Sequence, residues 1–293
     1  MRIFVTGATG YLGFSIATAL RRASHQVLGL ARSDLKARRL WAEEIEPVLG
    51  TMDDPASYRE AAKSCPVVVH AAVDYQGDTF GLDYRTVEAL QAGRPEKLIY
   101  TSGVWVYGST GSVDTDETAA PNPAARVVRR LDSERLALAS SVPAVVLRPG
   151  CVYGREGGMF ADWFAPISHG QAPTIIGPGT NRWALVHLDD LATGFRLAVE
   201  SPIRGEILNL TDRSRETVGA MVGAASRAGG FSGLARQVPV AEAAETLGSY
   251  AECLALDQAI DSGKAERQLG WRPQHRGFVA QAETYYQAWR ARR

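Results

Sequence analysis

The chain has few cysteines, few lysines, no net charge and no long apolar run, and each shortage removes a class of explanation. Cys65, Cys151 and Cys253 are three scattered thiols in 293 residues. That is too sparse for a disulfide framework, and it suits a reducing cytoplasm. The 32 basic residues balance 32 acidic ones, so nothing points to nucleic acid or to an anionic membrane surface. No apolar stretch is long enough to span a bilayer, and the first residues read as a strand rather than as a charged and then apolar leader. His25, His70, His169, His187 and His275 show no ligand spacing with one another or with the cysteines, which argues against a metal site. Lysine occurs at Lys36, Lys63, Lys97 and Lys264 alone, so arginine carries nearly all the positive charge.

What the chain does have is a glycine loop in a telling place. Arg2 to Thr6 is a short apolar, β-branched run, and Phe14 to Arg22 follows with helical spacing at Ile16, Ala17 and Leu20. Between them stands Val5-Thr-Gly7-Ala-Thr-Gly10-Tyr-Leu-Gly13. In a strand-to-helix turn, Gly7 permits the tight bend, Gly10 admits a pyrophosphate to the backbone, and Gly13 lets helix and sheet approach. The loop predicts a bound dinucleotide, with Gly7, Thr9, Gly10, Tyr11, Leu12 and Gly13 around it. Gln26 to Leu30 reads as the second strand, and its tip carries Ala31-Arg32-Ser33 rather than a carboxylate for a ribose, although Asp34 is close. Arg32 suits a 2′-phosphate and Ser33 adds a hydroxyl, so NADP(H) is expected over NAD(H).

Strand and helix signals then alternate: strands at Val67 to Ala71, Lys97 to Thr101 and Ala144 to Arg148, and helices at Tyr84 to Ala92 and Asp132 to Ser140. Alternation of this kind predicts an α/β fold, a Rossmann-type doubly wound parallel sheet with helices on both faces. Pro- and Gly-rich segments from Pro149 to Gly179 break the pattern, after which Trp183 to His187 and Glu206 to Leu210 read as strands flanking a helix over Asp189 to Val199. The expected division is a nucleotide-binding domain over 1–154 and 182–212, and a smaller C-terminal substrate lobe over 155–181 and 213–293.

Together these stretches resemble the extended short-chain dehydrogenase/reductase superfamily, in its NAD(P)-dependent epimerase/dehydratase branch. The resemblance rests on Thr6 to Gly13, His70-Ala71-Ala72, Tyr100 to Gly108, Leu147 to Gly154, Val186 to Ala192 and Leu269-Gly-Trp271. It implies that Ala71, Ala72, Thr101 and Pro149 also touch the cofactor, that a small-molecule substrate lies between domain and lobe, and that homodimers form through helices at Tyr84 to Ala92 and Asp132 to Ser140. It also implies a Ser or Thr, a Tyr and a Lys at the reaction centre. Here the chain departs. Gly103 stands at the hydroxyl position with Ser102 beside it, Arg126 at the Tyr and Arg130 at the Lys, and no lysine follows a tyrosine by four residues. The Asp that often contacts adenine is replaced by Thr51, with Asp53 two residues on.

A guanidinium keeps its proton, so Arg126 cannot be the general acid a phenol would be. It pairs with an anionic group of the substrate or lies on a solvated face. Arg130 can still hold positive charge at the ribose. If chemistry remains, Tyr107 or Tyr75 is expected to move the proton, with pocket lining as the alternative role for each. Ser102 is expected to hydrogen-bond substrate or cofactor, Trp105 to wall the pocket or pack in the core, and His187 to contact substrate or, as is commoner for a histidine in a strand-to-helix turn, to organise the loop, while Asp189 caps the following helix. Two functions follow. One is an NAD(P)(H)-dependent oxidoreductase, epimerase or dehydratase acting on a small carbonyl, hydroxyl or sugar-type compound by a non-standard proton route. The other is a catalytically silent NADP(H)-binding redox sensor.

Overall fold

The computed structural model describes residues 1–155 and 157–292. Its first half is built from β1 (Arg2–Thr6), α1 (Tyr11–Arg22), β2 (Gln26–Ala31), α2 (Asp34–Trp41), β3 (Glu46–Leu49), α3 (Arg59–Lys63), β4 (Val67–His70), α4 (Thr79–Ala92), β5 (Lys97–Thr101), α5 (Arg130–Ala139) and β6 (Ala144–Pro149). The second half adds β7 (Cys151–Tyr153), α6 (Ala161–Ser168), β8 (Thr174–Ile176), β9 (Leu185–His187), α7 (Leu188–Glu200), β10 (Glu206–Leu210), α8 (Val218–Ala228), β11 (Arg236–Val238), α9 (Val240–Leu247), α10 (Tyr250–Leu254), α11 (Gly263–Leu269) and α12 (Ala282–Arg290).

Seven strands form one parallel sheet in the order β10-β6-β5-β4-β1-β2-β3. The order reverses between β4 and β1, and ligands of doubly wound sheets bind at such a reversal, outside the carboxyl ends of the strands. The strands read as nearly continuous apolar runs because both faces are covered. Ile3, Val5, Val69 and Leu147 pack under α1 and α7, while Phe4, Val68, Leu98 and Val146 pack under α4 and α5.

Several expected elements shift. The helix expected from Phe14 starts at Tyr11, directly after the glycines. The helix expected from Tyr84 begins five residues earlier at Thr79, behind an Asp78 cap, and the one expected from Asp132 begins at Arg130. β3 is a short edge strand that the sequence pattern did not announce. The strand expected over Trp183 to His187 is only Leu185–His187, and it pairs with β7 in a two-stranded ladder outside the main sheet.

The lobe has its own aromatic core of Phe160, Trp163, Phe164, Trp183, Phe278, Tyr286 and Trp289. Cys151, Tyr153, Trp183 and Leu185 pack into this core although sequence reading placed them on the nucleotide side. The short ladder of β7 and β9 is therefore the seam between the two parts. Helices α4 and α5 lie side by side, and their exposed positions carry Arg85, Glu88, Asp132 and Arg135.

Candidate active site

A cleft of about 810 Å³ runs along the carboxyl ends of β1, β2, β4, β5 and β6. That volume is ample for a cofactor and part of a substrate. Its floor is the glycine loop. Gly7 has φ +71°, and a Cβ there would stand 2.5 Å from the Ala71 carbonyl oxygen. A Cβ on Gly13 would stand 2.1 Å from the Gly7 oxygen. Both positions are closed to any larger residue, so the loop is folded as tightly as backbone allows. No side chain caps α1 and no acidic residue sits in its first turn, so the positive end of its dipole faces the cleft unopposed. These residues fit a dinucleotide pyrophosphate.

Of the residues expected at the site, Gly7, Thr9, Gly10, Tyr11, Leu12, Gly13, Arg32, Ala71, Ala72, Tyr75, Ser102, Trp105, Arg126, Arg130 and Pro149 all line this cleft. The Ser102 hydroxyl is buried and has no protein partner. A buried hydroxyl without a partner is costly unless something else supplies one, so Ser102 Oγ fits the place of a ligand oxygen. A Cβ on Gly103 would meet only the Pro149 oxygen, at 3.8 Å. Nothing in the packing therefore forbids the side chain whose absence marks this chain.

Four expected residues stand elsewhere. Tyr107 does not reach the cleft: a tight turn over Val104–Tyr107 carries its ring inward, where the hydroxyl donates to Asn209 Oδ1 at 3.0 Å and the Arg148 guanidinium lies 4.8 Å from the ring centre. Burial pushes its pKa up, and it is no acid for this site. His187 is also withdrawn. Its ring stacks on His275 at 3.7 Å, and its Nδ1 accepts the Asp189 amide to cap α7. The cap is thus His187 and not Asp189, whose carboxylate pairs with Arg155 at 2.6 Å. Burial and the neighbouring His275 push His187 down to about 4, as befits a neutral acceptor. Ser33 caps α2, accepting the Lys36 amide, and the Thr101 hydroxyl is buried behind the cleft wall without a partner.

Arg130 is held from behind. Its Nη1 donates toward Asp83 Oδ1 at 3.4 Å and toward the Thr101 carbonyl at 3.3 Å. Asp83 also accepts Tyr100 OH at 2.7 Å and faces His70 Nε2 at 3.2 Å, and His70 in turn meets Thr6 Oγ1 at 2.6 Å. Burial alone would raise the Asp83 carboxyl, but the His70 hydrogen bond and the Arg130 charge outweigh it and hold the group well below the usual carboxylate range. The network fixes a permanent cation in the cleft wall, at the residue the sequence had set in the lysine's place.

At the β2 end of the cleft, Arg32 Nη1 pairs with Asp74 Oδ2 at 3.2 Å, and Lys36 joins Arg32 in lining the cleft. Sequence reading missed Lys36, which enters because α2 turns its first residues back toward the β2 tip. It also missed Tyr250, 124 positions after Arg126, which the lobe brings to within 5.0 Å of the Arg126 guanidinium. Tyr75, largely exposed, lies 5.3 Å from the same guanidinium. Cys151 lines the cleft as well, but burial pushes its thiol up to about 12, so it is a neutral side chain rather than a nucleophile.

A doubly wound sheet with a glycine-loop cleft at its reversal and a second lobe closing over it defines a dinucleotide-dependent α/β protein. The chain belongs to the NAD dependent epimerase/dehydratase family, whose model matches residues 3–211. It is 31% identical to an uncharacterized protein of Schizosaccharomyces pombe over 94% of this chain and 96% of that one. It is 29% identical to a 3-diazoavenalumate denitrifying reductase of a Streptomyces species, covering 94% of this chain and 97% of the reductase. Among solved structures, it resembles UDP-glucuronic acid 4-epimerase of Bacillus cereus in complex with UDP-glucuronic acid and NAD. There the TM-score is 0.80 at 20% identity, with both chains covered completely.

Proposed function

We propose that this chain is an NADP(H)-dependent oxidoreductase acting on a small carbonyl or hydroxyl compound, with fixed cations in place of the usual tyrosine and lysine. The observation that carries this reading is Ser102: a buried, unpartnered hydroxyl in the same cleft as the glycine loop and two guanidinium groups. The names of relatives, a reductase in Streptomyces and an epimerase in Bacillus, agree with oxidoreduction as the common chemistry. The three buried free thiols support a reducing, cytoplasmic setting.

The glycine loop and the α1 N-terminus would hold the pyrophosphate, Arg32 and Lys36 a 2′-phosphate, and Arg130 the ribose side of the nicotinamide. Once bound, the nicotinamide supplies or accepts hydride. The chain's own residues do the rest. Ser102 Oγ donates to the substrate oxygen where oxyanion character develops, and Arg126 holds an anionic group of the substrate without giving up a proton. The proton itself comes from Tyr75, the one expected phenol that faces the cleft, or from water at the open mouth beside it.

The test is hydride transfer. NADPH deuterated at C4 should deliver deuterium into the product from a panel of aldehydes, ketones and oxo acids, and Ser102→Ala should depress that transfer. The withdrawal of Tyr107 from the cleft favours a second reading, a silent protein that reports the NADP⁺ to NADPH ratio. Tight NADPH binding with no transfer to any carbonyl, together with clearly different affinities for the two redox forms, would establish that reading instead.

A further inference from the structure

Four cations line the cleft: Arg32, Lys36, Arg126 and Arg130. Arg32 is paired with Asp74 and Arg130 with Asp83. Neither Lys36 nor Arg126 has a carboxylate partner among the described residues, and of these two Arg126 is the one beside the lobe. It sits on a short turn over Ala125–Val127, half-buried, close to the rings of Tyr75 and Tyr250. Among the described residues no carboxylate pairs with it, and no protein acceptor meets its N–H groups. A guanidinium held against aromatic rings keeps its orientation while its N–H edge stays available, which is an arrangement made for a planar anion.

The space beyond Arg126 limits what that anion is attached to. A second cavity of about 560 Å³ lies in the lobe between α6, β8, β11, α9 and α10, and Met159 lines both it and the main cleft. Tyr250 stands at the join, in the wall of the second cavity and 6.0 Å from Trp105 in the first. Trp163, Trp183, Ile176 and Val238 make the inner cavity flat and apolar. Its charges are Asp162, Glu242 and Glu245 against Arg236, and Arg236 is already paired with Glu242 at 3.0 Å. A diphosphate entering here would meet surplus negative charge with no free cation to receive it.

We propose that the substrate is a monoanionic carboxylic acid with an aromatic or similarly flat apolar tail. Its carboxylate engages the N–H edge of Arg126, and its tail passes Met159 and Tyr250 into the lobe cavity. Sugar nucleotides are excluded by the acidic rim. This assignment rests on the oxidoreductase reading of the same cleft and narrows it to one substrate class, with Arg126 as the residue that selects the charge and Tyr250 as the residue that holds Arg126 in place.

The experiment is calorimetric titration of the full chain, saturated with whichever of NADP⁺ or NAD⁺ it binds, using three probes: 4-hydroxycinnamate, its primary amide, and UDP-glucose. The acid is expected to bind at least about tenfold tighter than the amide, the difference a charge-assisted contact makes, with UDP-glucose weaker than both. Arg126→Met should bring the acid down to the affinity of the amide, and Arg126→Lys should keep only part of the difference. Equal affinities of acid and amide in the unaltered protein, no saturable binding of the acid, tighter binding of UDP-glucose, or discrimination that survives Arg126→Met would each overturn the proposal. The comparison of acid with amide needs no variant, so a misfolded substitution does not rescue it. Because binding is read rather than turnover, a chain that selects the acid yet transfers no hydride keeps this substrate class and loses the reaction.

Discussion

Replacing Arg32 by Ala should change which cofactor the protein prefers without changing how the fold holds together. Arg32 is 72% exposed at its side chain and meets Asp74 across 3.2 Å, a pair worth no more than about 1 kcal/mol at such a surface. A charge-assisted contact to a 2′-phosphate is worth about 1.5 to 3 kcal/mol, and engaging it means giving up Asp74. The net preference from Arg32 is then about 1 to 2 kcal/mol, or about 5- to 30-fold in the ratio of dissociation constants. Fluorescence titration with NADPH and NADH in parallel should show Arg32→Ala weakening NADPH by that factor while leaving NADH nearly untouched. Asp74→Asn should act in the opposite sense, because it frees the guanidinium and removes a carboxylate that repels the phosphate. Both effects should shrink as salt rises, since Arg32 is exposed and Asp74 is only partly covered. A ratio unchanged by Arg32→Ala, or a parallel loss for NADH, would refute the assignment of this arginine to the 2′-phosphate.

Ser102→Ala removes a buried hydroxyl that has no protein partner, so the unliganded protein should unfold at the same or a slightly higher temperature while hydride transfer falls by about 10- to 100-fold; a marked loss of stability would mean the hydroxyl serves the fold. Asp83→Asn should cost about 2 to 4 kcal/mol at neutral pH by breaking the buried contact to Arg130, measured by urea unfolding. The Asp83 carboxyl is depressed in the folded state, so its stabilisation is complete above the unfolded value near 4 and is lost as pH falls below it. The unaltered protein should therefore lose stability to acid more steeply than Asp83→Asn over roughly pH 4 to 2, by up to about 1.4 kcal/mol per pH unit, and identical slopes would remove Asp83 as the cause. Lys97 is buried at the start of β5 and its Nζ donates to the Ala198 and Ser201 carbonyls at 2.6 and 2.5 Å, closing the end of α7. Lys97→Met should cost about 2 kcal/mol in chemical unfolding with cofactor affinity unchanged.

What was legible in the sequence was local. The glycine loop declares itself because strand, turn and helix are contiguous, and the backbone contacts that forbid a Cβ at Gly7 and Gly13 involve the loop itself and the neighbouring β4 end. The parallel sheet followed from alternation, because its inner strands are apolar on both faces. Side-chain direction after a strand was not legible. Tyr107 sits a few residues beyond β5 and so has the address of a site residue, yet one tight turn sends its ring to Asn209 on β10, 102 positions later. The surroundings of His187 were hidden for a related reason: its partner His275 belongs to the segment after α11, and no spacing announces a contact made by the lobe folding back. Tyr250 was invisible on the same grounds, since α10 meets the cleft only through the tertiary packing of the lobe.

The two arginines that the sequence sets at the expected tyrosine and lysine positions are handled by the fold in opposite ways, and this bears on the proposed chemistry. Arg130 is committed: Asp83 pairs with it, Tyr100 OH and the Thr101 carbonyl share its Nη1, and His70 and Thr6 brace Asp83 from behind. Such a group holds its place through a reaction but has little charge left to lend. Arg126 keeps its full charge and its donors, on a turn rather than in a helix, beside rings that orient it without neutralising it. A lysine normally serves this family by lowering the pKa of a tyrosine, and that service has no purpose once the tyrosine is gone. On the proposed reading, the fold buries Arg130 where a lysine was expected and leaves Arg126, where a tyrosine was expected, free to meet the substrate. If positive charge in the cleft serves anion recognition rather than proton transfer, as proposed, substrate charge should control this protein more strongly than the pH at which it works.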